Sequence, residues 1–261
     1  MRKNFFMKRN LVFLLLFPLV LFFSCGGKTT TRPTKPKYKF TINGVVVKDL
    51  SIDKDIAYFT ILRDSTAFDS ALVMVDQDTI KSQGGGSGIY SEKASHLFGF
   101  EDTIVVRVSS AKDNFAVNFN DTVPGFFHIT DITDIADREV HSGDIPRVLF
   151  TSSANASGYF ISVIKRDNTQ GALGHTALIP WDKIGNYSIP ADAFGDRFGN
   201  FATGTYLIYL VAYNGSFVAY PPSIKFELPN DLPKDNIPGA NGTTGAGVVA
   251  PLDSVKAVVG Q

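Results

Sequence analysis

Histidines and acidic residues are the side chains of this sequence best able to catalyse a reaction or bind a metal. Their spacing forms no catalytic or metal-binding motif. The histidines are His96, His128, His141 and His175. The chain has one cysteine, so zinc sites built from cysteine pairs are excluded. Asp131, Asp134 and Asp137 recur at every third residue and could bind calcium through oxygen, but they lack the alternating spacing of an EF-hand loop. We predict no catalytic residue, no metal site and no cofactor.

A small envelope hydrolase or a carbohydrate-processing accessory protein stays open as the alternative function. The carboxylate pairs of glycosidases meet in space rather than in sequence, so the sequence alone does not reveal them.

Aromatic residues crowd the segment before a strong predicted strand at 204–215, and they are the candidate binding feature. Exposed rings on a β scaffold can stack on sugars or on the side chains of a partner. We name Trp181, Tyr187 and Phe198 as candidate ligand-facing residues. The alternative is that these rings close the side of the β domain, because so long a connection needs a small core of its own.

The single cysteine, Cys25, follows a segment with the organisation of an export signal. Basic residues at positions 2, 3, 8 and 9 precede an uncharged apolar run at 11–23, and small residues close it. The run has 13 residues, whereas a transmembrane helix needs roughly 20. The sequence therefore predicts export without a permanent membrane-spanning helix.

Residues 21–25, Leu-Phe-Phe-Ser-Cys, resemble the lipobox of bacterial lipoproteins. The resemblance implies that residues 1–24 are a signal peptide and that Cys25, acylated with palmitate-type chains, becomes the new N-terminus. Phe22 stands where that family usually has leucine. Gly26 after the cysteine implies, by resemblance to the lipoproteins of enteric bacteria, sorting to the outer membrane, facing the periplasm or the cell surface. The inner membrane, or the surface of a cell with a single membrane, stays open as the alternative. The alternative is an ordinary secretory signal with a chance cysteine.

Residues 25–37 are predicted to be a lipidated, flexible basic tether, because they lack large apolar side chains. Its positive charges lie where anionic lipid headgroups would be, and acyl chains with a basic patch bind membranes better than either alone. The alternative is that these charges only keep the tether soluble. They belong to Lys28, Arg32, Lys35 and Lys37.

The formal charge of zero hides an asymmetry between the start and the body of the chain. Eight of the 25 basic residues and none of the 25 acidic ones lie before position 38. Residues 38–261 therefore carry 17 basic and 25 acidic side chains, a net charge of −8. Such a body repels phosphate backbones, so we predict that nucleic acid is not a partner.

Apolar and polar residues alternate from Tyr38 onward, which is typical of half-buried strands, and no helical period interrupts them. We predict an all-β fold of two tandem antiparallel β-sandwiches at 38–124 and 125–229. Proline, glycine and small polar residues then predict a disordered tail at 230–261.

The second predicted sandwich resembles fibronectin type III domains, a family with an immunoglobulin-like fold. In the segment 204–215, Tyr206 is followed by Leu210, Ala212 and Asn214, as in the penultimate strand of that family. Tyr159 looks like a residue of its third strand. The resemblance implies that even-numbered residues from Tyr206 face the core, and it implies nothing catalytic.

Together these patterns predict a non-catalytic, lipid-anchored protein of the cell envelope. Its partners are expected to be the membrane, through Cys25 and the tether, and an unknown protein or glycan that it binds or scaffolds.

Overall fold

A computed structural model describes residues 38–167, 174–216, 228–229, 237 and 239–259. The predicted signal peptide, Cys25 and the basic tether lie outside the described residues, so their assignment stays a prediction. The described part of the chain belongs to one compact unit, Pro36–Gln261.

Strands make up nearly all of the regular structure. Up to residue 122 they are β1 (Phe40–Asp49), β2 (Lys54–Arg63), β3 (Thr66–Ala67), β4 (Leu72–Val75), β5 (Asp78–Ile80), β6 (Ile89–Ala94), β7 (Thr103–Ser110) and β8 (Phe115–Thr122). The strands that follow are β9 (Ile129–Thr133), β10 (Glu139–Val140), β11 (Arg147–Phe150), β12 (Gly158–Lys165), β13 (His175–Ile179), β14 (Asn186–Ser188), β15 (Gly204–Gly215), β16 (Asn241–Val249) and β17 (Asp253–Ala257). Two single-turn 3₁₀ helices lie at Trp181–Lys183 and Ala191–Phe194. The predicted all-β fold is confirmed.

A ten-stranded sheet lies at the centre, and its middle runs in the order β13-β12-β15-β16-β1-β2-β6. The long strand β15 pairs with β12 along one edge, and with β17 and then β16 along the other. Two smaller sheets complete the fold, one in the order β5-β4-β7-β8 and one in the order β14-β11-β9. The first lies wholly before residue 125 and the second wholly after it.

The central sheet crosses the predicted boundary at 124/125. Strands β1 and β2 come from the first half of the chain, and β12 and β15 from the second, with β16 between β15 and β1. One cluster of buried apolar residues also contains members of both halves, such as Val106 and Leu210. The two sandwiches therefore share a sheet and a core and are not independent in the way the sequence predicted.

The predicted disordered tail at 230–261 is wrong for residues 241–249 and 253–257, which form β16 and β17. β16 pairs in parallel with β1, in a register that sets Thr41 opposite Asn241. Its sequence, Asn-Gly-Thr-Thr-Gly-Ala-Gly-Val-Val, has the composition of a flexible segment. Here the glycines permit close approach instead, since a Cβ at Gly245 would lie 2.4 Å from the carbonyl oxygen of Ser216.

Both faces of the central sheet are buried at β15. Tyr206, Ile208, Leu210 and Ala212 belong to the large cluster shared with the two smaller sheets, as predicted for the inner face of β15. The alternate residues of β15 lie in a second cluster on the opposite face. They are Leu207, Tyr209, Val211 and Tyr213. The partly buried side chain of Leu228 packs against this second cluster.

Candidate binding groove

An open groove lies beside the small sheet β14-β11-β9 and has a volume of about 510 Å³. This volume falls within the range of roughly 300–1,000 Å³ that is usual for small-molecule sites. Charged, amide, hydroxyl and aromatic side chains all contribute to its wall. The lining residues are Arg147, Pro180, Asp182, Lys183, Asn186, Tyr187 and Ser188.

Strand pairing places four of these residues. In the antiparallel pair β11–β14, Arg147 lies opposite Ser188 and Leu149 lies opposite Asn186, so these side chains share one face of the sheet. The polar groups on that face are exposed at Asn186 and Ser188. Tyr187 occupies the other face of β14, where its ring packs against the main apolar cluster. Tyr187 therefore combines a packing role with a place in the groove wall.

The 3₁₀ helix Trp181–Lys183 forms the other side of the groove. Pro180 precedes it with an extended backbone, which starts the turn without a side-chain cap. Asp182 and Lys183 of this helix line the groove, and the side chain of Trp181 between them and Pro180 is 69% exposed. A large apolar ring with this exposure, on a residue whose sequence neighbours line the groove, provides a surface on which a ligand can stack.

Two exposed ion pairs set the charge of the groove. The guanidinium of Arg147 lies 3.0 Å from the carboxylate of Asp134 on the neighbouring turn. The ammonium of Lys183 lies 3.8 Å from the carboxylate of Asp182. Because all four side chains are at least two-fifths exposed, water screens both pairs. Either cation can therefore exchange its carboxylate partner for another anion.

Tyr187, which lines the groove, contacts a histidine. The hydroxyl of Tyr187 lies 2.9 Å from Nε2 of His175 in β13, and the two rings are stacked at a centroid distance of 6.2 Å. Burial lowers the pKa of His175 from its ordinary value of 6.5, and the charge of Asp192 partly opposes this. Burial, with a smaller contribution from Asp192, raises the pKa of Tyr187. Both side chains are therefore neutral near pH 7.

The three aromatic residues named from the sequence do not form one surface. Tyr187 lines the groove, and Trp181 is the neighbour of residues that line it. Phe198 is 73% exposed but adjoins a different, smaller pocket of about 250 Å³, to which its neighbour Gly199 contributes. The guanidinium of Arg197 lies 4.8 Å from the centre of the Phe198 ring.

Sequence reasoning missed most of the groove. Arg147, Asn186 and Ser188 carry no motif, and only the register of β11 against β14 brings them together. Lys183 is two residues from Trp181, and Tyr187 lines the groove itself, so these two aromatic residues were the signals in the sequence that pointed to this region.

No group of three or more histidine, cysteine, aspartate or glutamate side chains that could hold a metal ion is present among the described residues. Asp134, one of the three regularly spaced aspartates, instead pairs with Arg147. Within the same described ranges, no helix has the length and apolar character needed to cross a membrane.

Comparison with known proteins gives little. No protein-family model matches the chain, and no curated protein matches it either. Among solved structures, it is similar to the fibronectin(III)-like modules of CbhA from Clostridium thermocellum. The identity is 10%, the match covers 85% of this chain and 94% of the other, and the TM-score is 0.25. The strand pairing within the chain, and not this similarity, identifies it as an all-β protein of sandwich type.

Proposed function

We propose that this chain is a non-catalytic, lipid-anchored protein of the cell envelope that binds a glycan in the groove beside β14. The observation that carries the proposal is the exposed side chain of Trp181, whose sequence neighbours Pro180 and Asp182 line the groove; Asn186, Tyr187 and Ser188 also line it. Sugar rings offer an apolar face for stacking and hydroxyl groups for amide and hydroxyl partners.

The shape and lining of the groove favour a glycan over a protein partner. A protein interface usually buries aromatic anchors in desolvated pockets. Here the exposed ring lies on the surface, and the groove beside it is open and mainly polar. The binding experiment below can also detect a protein ligand.

The anchoring part of the proposal rests on the sequence. The solitary Cys25 at the end of an apolar run supports lipidation, and Lys28, Arg32, Lys35 and Lys37 would strengthen attachment to anionic lipids. With Gly26 after the cysteine, we place the protein on the outer membrane. Cell fractionation tests this: Cys25→Ser should leave the membrane fraction or stay unprocessed, and a membrane-bound variant of normal mature size would contradict it.

Glycan binding is tested with the purified chain in detergent on an array of envelope and extracellular oligosaccharides. We expect Trp181→Ala to weaken binding by about tenfold, as for the loss of one stacking partner. Phe198→Ala is the matched control, because it removes an equally exposed ring beside a different pocket. Equal losses of glycan affinity in both variants would show that the groove is not the binding site. Binding of envelope proteins but of no glycan would replace the glycan in the proposal by a protein ligand.

A further inference from the structure

We infer that the groove selects glycans that carry carboxylate groups, such as chains containing uronic acids. This inference rests on the proposed function and adds the chemical class of the ligand. Its basis is the pair of cationic side chains, Arg147 and Lys183, that line the same groove.

The groove is less negative than the chain around it. Each of its two cations is paired with one carboxylate, Arg147 with Asp134 and Lys183 with Asp182, so these four side chains have no net charge. Residues 38–261 carry 17 basic and 25 acidic side chains, so most of the molecule repels an anionic ligand. A neutral groove on a negative body repels such a ligand less than the other surfaces do, and its two cations can contact the ligand directly.

Arg147 has the geometry to bind a carboxylate. Its side chain is 44% exposed, and a single guanidinium nitrogen makes the 3.0 Å contact with Asp134. A guanidinium has five N–H donors in a fixed fork, so donors remain for a second, incoming carboxylate. Lys183 is held by Asp182 only at 3.8 Å, and its ammonium can turn toward the ligand.

The neutral members of the groove explain why the carboxylate would belong to a sugar. Ser188 lies opposite Arg147 across the strand pair, and Asn186 follows on the same face of β14. These groups can bind the hydroxyls of a ring whose carboxylate contacts Arg147, while the exposed ring of Trp181 offers a stacking surface nearby. An acidic peptide could use the same two cations, so it is titrated in parallel in the test below.

The test compares each acidic oligosaccharide with its carboxyl-reduced counterpart, which has the same linkages without the charge. The probes are tetramers of galacturonate, glucuronate and mannuronate, titrated calorimetrically into the purified chain in detergent. We expect at least one acidic tetramer to bind about tenfold more tightly than its reduced form, since hydrogen bonds to charged groups are the stronger ones. A poly-glutamate peptide is titrated in parallel.

The variants assign the preference to the groove. Arg147→Gln and Lys183→Gln should each reduce the preference for the acidic form, whereas Arg107→Gln, an exposed arginine of β7, should leave it unchanged. Equal binding of the acidic and reduced tetramers would overturn the inference but leave the proposed function standing. Tighter binding of poly-glutamate than of any tetramer would overturn it in favour of an acidic protein partner. If no tetramer, acidic or reduced, bound the chain, and no oligosaccharide on the array did so either, the proposed function itself would be contradicted.

Discussion

The hydroxyl of Tyr187 lies 2.9 Å from Nε2 of His175, and this contact joins the small sheet β14-β11-β9 to the edge strand β13 of the central sheet. Because Tyr187 lines the groove and His175 contacts it, the protonation of His175 affects the stability of this region.

The first prediction concerns pH. Burial lowers the pKa of His175 in the folded chain below 6.5, so the unfolded chain binds the proton more readily. The stability that comes from neutral His175 is complete above pH 6.5 and is lost as the pH falls below that value. Thermal midpoints measured between pH 8 and pH 5 should therefore decline less in His175→Gln than in the wild type.

The exposed residue His96 provides the control for this measurement. His96→Gln should reproduce the wild-type pH profile. If the two histidine variants gave the same profile, the shift of the His175 pKa would have no effect on folding.

The second prediction concerns the C-terminal strands. Ending the chain after Ala240 removes β16 and β17, which together cover one edge of β15 and one edge of β1. We expect the shortened chain to lose cooperative thermal unfolding, measured by circular dichroism. For the same reason a fragment of residues 125–229, the second sandwich that the sequence predicts, should not fold cooperatively.

A chain that ends after Val259 is the matched control, because it keeps both strands. It should melt like the full chain. A cooperative melt of the chain that ends after Ala240 would show that the shared sheet is dispensable.

The third prediction compares the two faces of β15. Leu210 is completely buried in the main cluster, and Tyr213 is 5% exposed in the second one. Leu210→Ala should cost about 2–5 kcal/mol, and Tyr213→Ala about 3–5 kcal/mol, through lost burial and the remaining cavity. The fibronectin-like resemblance alone suggests a small cost for Tyr213. Urea unfolding measures both free energies.

Leu252→Ala serves as the reference, because Leu252 is 40% exposed and its truncation should change the free energy of unfolding by only about 0.5 kcal/mol. A Tyr213→Ala variant as stable as this reference would mean that the second face is open to water in solution.

The fourth prediction concerns a buried ion pair. The carboxylate of Asp55 lies 2.7 Å from the ammonium of Lys48 and also accepts hydrogen bonds from the backbone amides of Leu97 and Phe98. Its side chain is only 2% exposed. Asp55→Ala should cost roughly 3–5 kcal/mol in urea unfolding, because it leaves Lys48 and two amides without their partner.

The exposed pair of Lys183 and Asp182 gives the contrast. Asp182→Ala should change the free energy of unfolding by about 0–1 kcal/mol. Similar costs for Asp55→Ala and Asp182→Ala would show that the buried pair contributes no more than an exposed one.

The fold was predictable where local pattern and final environment agree. β15 spans Gly204–Gly215, the segment that the alternation of the sequence identifies, and its inner face carries the residues expected there. β16 was not predictable, because its glycines indicate flexibility when the segment is considered alone. Only the partner strands β1 and β15 give it a defined place, and Thr41 and Asn241 are 200 residues apart.

The candidate groove follows the same rule. The composition of the segment around Trp181 identified an exposed aromatic ring, which is a local property. The placement of Arg147 opposite Ser188 depends on strand register, and the contact of His175 with Tyr187 depends on how two sheets meet. Neither relationship leaves a trace in the spacing of the residues along the chain.

The position of β16 also affects the tendency of the chain to aggregate while it is being synthesised. β1 is completed early, but the strand that covers one of its two edges is about 200 residues further along. At roughly 5–20 residues per second, that edge stays open for about 10–40 seconds on a growing chain. An open strand edge is a template for pairing with other chains. Aggregation during production should therefore depend on how fast the roughly 200 residues between β1 and β16 are synthesised, and not only on the stability of the finished protein.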